Sequence, residues 1–118
     1  AVTLDAGVPE PDIAVVPGPE GRYDAERPRP KDIALVIEVS DSTLDRDQGM
    51  KREMYARNRI PVYWIVNIPD RRVEVYTDPR AGKSPTYRTR VDYAPGDDIP
   101  VVLAGRAVGS IPTAEVLP

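Results

Sequence analysis

Three side chains in this sequence combine types and positions that could do chemistry: Asp12, Glu38 and Lys51. Asp12 stands at the entrance of a short apolar run, DIAVV. Glu38 closes a longer one, in which Ile33, Leu35, Ile37 and Val39 alternate with Ala34 and Val36, so the predicted strand is apolar on both faces until the glutamate. An ionised carboxylate in such a place costs several kcal/mol unless something cationic compensates it. Lys51 follows on a predicted helix. If the two strands are neighbours, the three side chains converge at one end of the sheet. Two carboxylates with a strand-end carbonyl make a site for a hard cation, which could polarise a phosphodiester and lower the pKa of an attacking water. The lysine could orient that water or offset charge in the transition state. Plainer readings compete: a solvated Asp12 at a turn, an Asp47–Lys51 surface pair with the lysine snorkelling outward, or Glu38–Lys51 as a buried salt bridge in a purely structural subunit.

Composition narrows the chemistry. The chain has 118 residues with no cysteine and no histidine, which excludes thiol catalysis, zinc thiolate sites, disulfides and histidine-based triads. Carboxylates, lysine, hydroxyls and backbone remain, and an oxygen-only metal site favours Mg2+ or Mn2+. The net charge of −3 argues against a broad electropositive surface for nucleic acid and leaves room for a local patch. No apolar run approaches the roughly 18 residues of a membrane helix, and AVTLDAG lacks the layout of a signal peptide, so a cytoplasmic protein with no membrane partner is expected. The length fits one domain, residues 1–118. Opening on Ala1 inside an apparent strand implies a trimmed version of a longer protein.

The elements that must position these residues follow in order. Ala1–Asp5 and Asp12–Val16 are predicted strands; PGPEGRYDAERPRP, residues 17–30, is a connecting loop made basic by Arg22, Arg27, Arg29 and Lys31. After the Ile33–Val39 strand, Ser40–Thr43 supply capping side chains for a helix running to about Arg59 and stopped by Pro61. At about 100° per residue, Leu44, Gln48, Lys51, Met54, Tyr55 and Asn58 share one side with Asp47 at its margin, which puts Lys51 on the core-facing stripe. Gly49 in mid-helix suggests close packing. VYWIVN and RVEVYT form a hairpin, Asp78–Pro85 a polar loop, and Tyr87–Tyr93 a strand with Arg88 and Arg90 on its wet face. Trp64 and the tyrosines of these strands are expected in packing. The tail from Ile99 is expected as short strands or coil covering a sheet edge.

PDIAVV, then ALVIEVSDST, then DRDQGMKREMYARNRIPVYWIVN and VEVY are similar to the restriction-endonuclease-like nuclease family within the PD-(D/E)XK superfamily, a bacterial domain of unknown function abundant in cyanobacteria. The likeness covers about Pro11 to Tyr76. It implies an α/β fold with a mixed sheet and flanking helix, and a Mg2+- or Mn2+-dependent endonuclease cutting DNA. It implies metal binding by Asp12, Glu38 and the Val39 backbone carbonyl, with Lys51 completing the catalytic set and Ser40, Asp47 and Tyr55 as auxiliaries. Ser40 is a departure, because the superfamily pattern has lysine there; in this narrower family the lysine sits on the following helix, where Lys51 matches. Members also carry an N-terminal helix with a glutamate near the site, and this chain begins after it. A sheet face left uncovered in that way would favour a homodimer. The alternative reading is a catalytically silent nuclease fold used as a binding module.

Overall fold

A computed structural model describes residues 11–16 and 30–118. The predicted Ala1–Asp5 strand and most of the basic loop, with Arg22, Arg27 and Arg29, lie outside the described residues. Five strands form one sheet in sequential order: β1 (Ile13–Val15), β2 (Leu35–Ser40), β3 (Val62–Asn67), β4 (Arg72–Arg80) and β5 (Thr86–Tyr93). Only β2 and β3 run parallel; the other neighbours are antiparallel. A parallel pair needs a crossover, and α1 (Leu44–Gln48) with α2 (Met50–Arg57) supplies it. The result is a mixed α/β sheet compatible with a restriction-endonuclease-like core.

Strand alternation sorts the residues between two layers. Val36, Tyr63, Ile65 and Tyr76 face α2 and pack with Met54, Tyr55, Ala56 and Ile60. On the opposite face Leu35, Val62, Trp64, Val66, Val73 and Val75 meet Ile99 and Leu117. Those last two come from a second, two-stranded sheet, β6 (Asp98–Leu103) with β7 (Arg106–Pro112), and from α3 (Thr113–Val116) with the residue after it. The tail therefore covers a sheet face rather than an edge. Val101, Leu103 and Val116 join the same cluster, because β6 alternates apolar side chains toward the large sheet. Among the described residues, no helix is long and apolar enough to cross a membrane.

Several expected boundaries shift. Ile33 precedes β2 and joins the helix-side cluster with Val36, not the face of Leu35, and Val39 is 46% exposed. The strand is thus covered on both sides only in its first half. β4 runs on to Arg80, through what reads as a polar loop, with Asp78 at φ 60° interrupting its regularity. Tyr87 stacks beyond that interruption with Tyr63 and Tyr76 on the helix side.

The larger correction is that the predicted helix is two. Gly49 (φ −105°, ψ −95°) separates α1 from α2, so Asp47 lies in the last turn of one helix and Lys51 in the first turn of the next. A Cβ at residue 49 would stand 2.9 Å from the Asp45 carbonyl oxygen, which is backbone and cannot yield cheaply. Gly49→Ala is accordingly expected to lower stability by about 1–3 kcal/mol, the opposite sign from the gain of roughly 1 kcal/mol that this change brings in a regular helix. Urea unfolding monitored by circular dichroism measures it; a gain would mean that one continuous helix is accessible at no cost.

Candidate active site

The site forms where β1 and β2 end side by side. Ile13 pairs with Ile37, the last pair of the β1–β2 ladder, and one step further Asp12 and the Glu38–Val39 segment exchange side-chain bonds. The Asp12 N–H donates to Glu38 Oε1 at 3.0 Å, and the Val39 N–H donates to Asp12 Oδ2 at 2.7 Å. Because the N–H and C=O of one strand residue point to the same side, the Val39 carbonyl also faces β1. Asp12 is exposed, whereas Glu38 is 1% exposed and lies against the helices.

From above, α2 brings Lys51 and Tyr55, one turn apart on the stripe anticipated from the 3.6-residue period. Lys51 Nζ lies 2.8 Å from Glu38 Oε2, and the Tyr55 hydroxyl donates to the same oxygen at 2.8 Å. Lys51 is 13% exposed, so it does not snorkel away from the core. Its ammonium also stands 3.3 Å from Asp47 Oδ1. Asp47 is buried rather than a surface partner: the Thr43 hydroxyl donates to its Oδ2 at 2.9 Å, and the Tyr63 hydroxyl donates to its backbone oxygen at 2.8 Å. Thr43 thus spends its hydroxyl on the Asp47 side chain instead of capping α1. Oδ1 of Asp47 makes no hydrogen bond, the Lys51 contact being close enough for ion pairing but not aligned. Ser40, also on the helix side of β2, is fully buried with its hydroxyl unpartnered. Asp12, Glu38, Val39, Asp47, Lys51 and Tyr55 therefore form one connected cluster, and Ser40 lies two residues from it along β2.

Burial alone would lower the Lys51 pKa, but the Glu38 hydrogen bond and the charges of Glu38 and Asp47 outweigh it, and the net shift is upward. Lys51 is an ammonium throughout neutral pH and is not a proton acceptor. Tyr55 is pushed above its ordinary value, by burial first and then by the Glu38 charge, so its hydroxyl stays a donor.

A second buried carboxylate escaped the sequence reading. Glu38 is level with Ile65 across the sheet, and Ile65 with Glu74, so both glutamates occupy one row on the helix side. Glu74 is fully buried and accepts from Gln48 Nε2 at 2.8 and 3.0 Å, Asn67 Nδ2 at 2.8 Å and the Tyr76 hydroxyl at 2.7 Å. The Arg72 and Arg90 guanidiniums each approach to 3.3 Å. Arg90 is thus no free solvent-facing charge: it also lies over the Tyr76 ring and pairs with Asp92. The signal was available, since Glu74 interrupts an apolar strand just as Glu38 does. Although burial pushes the Glu74 pKa up, the hydrogen bonds from Gln48, Asn67 and Tyr76 prevail and hold it below the ordinary carboxylate range.

Among the described residues, no group of three or more acidic side chains is gathered closely enough to cage a metal ion. A two-carboxylate, carbonyl and water donor set remains, and that suits Mg2+, which commonly keeps several waters and takes one or two carboxylates. The mixed α/β sheet is that expected of a restriction-endonuclease-like core. The chain belongs to the Uma2 family, described as "Putative restriction endonuclease", which it matches over residues 1–108. No curated protein matches it.

Charge and burial predict how pH acts on this arrangement. Tyr55, Tyr63, Tyr76 and Tyr87 all have raised pKa values, with burial the first cause in each, and Lys51 is raised as well. The folded state holds protons that the unfolded chain releases near pH 10, so stability is full below about pH 10 and falls as pH climbs above it. Tyrosinate absorbance from these four residues is expected to rise together with loss of secondary structure; a gradual titration with the fold intact would contradict it. At the acid end Glu74 acts oppositely, stabilising above its unfolded pKa and losing that contribution as pH falls through its lowered folded value. Glu74→Ala, which leaves the Gln48, Asn67 and Tyr76 donors without their acceptor while Asp70 and Asp92 still pair with Arg72 and Arg90, is expected to cost about 1–3 kcal/mol in urea unfolding.

Proposed function

We propose that the protein is a divalent-cation-dependent nuclease that hydrolyses DNA phosphodiesters, with Asp12, Glu38 and the Val39 carbonyl holding the cation and Lys51 assisting the attack. The observation carrying this reading is the convergence of Asp12, Glu38 and Lys51 from β1, β2 and α2 at one strand end. Family membership supports a nuclease class. When bound, Mg2+ or Mn2+ supplies Lewis acidity toward a phosphoryl oxygen and a lowered pKa for the attacking water. The residues do the rest. Tyr55 and the Asp12 N–H orient the Glu38 carboxylate, one at each oxygen, so that it presents a fixed set of lone pairs. Lys51, held as an ammonium, places positive charge where the pentacoordinate phosphate accumulates negative charge, an electrostatic role and not that of a base. The exposure of Asp12 leaves the site open to a polymeric substrate from the β1 side.

One observation favours a second reading. Lys51 and Glu38 already form a direct ion pair at 2.8 Å, which on its own would compensate the buried carboxylate in a catalytically silent fold. Cleavage of supercoiled plasmid by full-length protein with Mg2+ or Mn2+ separates the two. Glu38→Ala and Lys51→Ala are each expected to reduce the rate by about 100-fold or more. Asp12→Asn, at an exposed position, should abolish cation-dependent cleavage while leaving the melting temperature near that of the parent. Variants that cut as well as the parent would overturn the assignment, and absence of cation binding at millimolar concentration would favour the silent fold.

A further inference from the structure

Asp47 is built to receive a cation and is only half used. Its Oδ2 is committed to Thr43, its backbone oxygen to Tyr63, and it is 1% exposed, so its place does not depend on Lys51. Its Oδ1 is ion-paired with the Lys51 ammonium at 3.3 Å, a longer and less aligned contact than a full hydrogen bond. The ammonium is at present tilted toward Glu38 at 2.8 Å. Glu38 Oε2 meanwhile carries two donors, Lys51 and Tyr55. A divalent cation arriving between Asp12 and Glu38 approaches Oε1, on the Asp12 side, and its charge repels the ammonium that sits on Oε2 of the same carboxylate.

We propose that Asp47 is a positioning residue: it is the acceptor to which the Lys51 ammonium transfers when a divalent cation occupies Asp12 and Glu38, which keeps the lysine beside the site instead of releasing it to solvent. This inference rests on the cation-dependent reading above. The required movement is small, since both carboxylates already touch the ammonium, and the pivot is short because Asp47 lies in the last turn of α1 and Lys51 in the first turn of α2, across the Gly49 break. Asp47 thereby converts an i,i+4 ion pair into a two-position seat for one lysine.

Calorimetric titration of Ca2+ into full-length protein and three variants tests the transfer, with stability in chelator checked by thermal melting. K51M removes the competing ammonium and is expected to bind Ca2+ about tenfold tighter, and D47N, which leaves Lys51 no anionic seat but Glu38, about tenfold weaker. In the K51M background the cost of D47N should shrink, because there is no ammonium left to rehouse. If Asp47 acted through its charge alone, that cost would be as large or larger once the ammonium beside it had gone, and such a result overturns the inference. A crystal structure of the parent with Ca2+ needs no variant. It should show Nζ hydrogen-bonded to Asp47 Oδ1 and beyond about 4 Å, the ion-pair limit, from Glu38; Lys51 still on Glu38, or turned to solvent, overturns the proposal. Parent protein that binds no Ca2+, Mg2+ or Mn2+ overturns this inference together with the nuclease reading. Binding by the parent with no gain in K51M overturns this inference alone.

Discussion

The arrangement of this chain depends on a carboxylate that its own strand carries out of water. Val36, Glu38 and Ser40 occupy the helix side of β2, so ionised Glu38 needs positive charge or hydrogen-bond donors from elsewhere. Two elements answer with three groups. β1 offers the Asp12 N–H, and α2 offers Lys51 and Tyr55. The reach of α2 in turn depends on how the crossover is broken at Gly49 and pinned by Tyr63 to the neighbouring parallel strand. Remove the carboxylate and Lys51 and Tyr55 lose the acceptor they share inside the fold.

Glu74 shows how the same problem is solved without leaving chemistry behind. It shares a cross-sheet row with Glu38 and is as deeply buried, but its oxygens are taken by an amide from α1, an amide from β3, a tyrosine hydroxyl and two guanidiniums. That is a saturated acceptor, closed to any ligand, and it anchors Gln48 immediately before the Gly49 break. Glu38 has fewer partners, one of them an ammonium that also contacts Asp47, and it adjoins the exposed Asp12. Two glutamates on one sheet face thus differ in kind: one fastens the crossover, and the other is left able to exchange a partner.

What the sequence disclosed follows from the range of the interactions concerned. Local periodicity was enough to place Lys51 and Tyr55 on the inward stripe and to mark Glu38 as an anomaly, because both depend on residues within two turns or one strand. The β3–β4 hairpin was legible for the same reason. The Gly49 break was not: a single glycine has the same signature whether it packs closely or interrupts the helix, and the deciding backbone angles are tertiary. Arg90 is exposed, as its place on the strand implied, but its pairing with Glu74 was not legible, because strand alternation says nothing of a buried glutamate on the neighbouring strand. The tail was misplaced from edge to face because which sheet surface stays uncovered depends on the crossover, far away in the chain.

Ser40 remains the sharpest test of how sequence pattern and geometry relate. A lysine at that position would share the helix side of β2 with Glu38, two residues along the strand, and the site there is fully enclosed, with no room made for a long cationic side chain. The small hydroxyl leaves that space to the start of the crossover, and the cation arrives from above on α2 instead, at 2.8 Å from the same carboxylate. The ion pair with Glu38 is therefore made from the helix and not from the strand. What the helix position adds is a neighbour that a strand lysine would lack: Asp47, four residues back and already within ion-pair distance. A lysine delivered by a helix comes with a second seat, and the two-helix crossover is the feature of the fold that makes this geometry available.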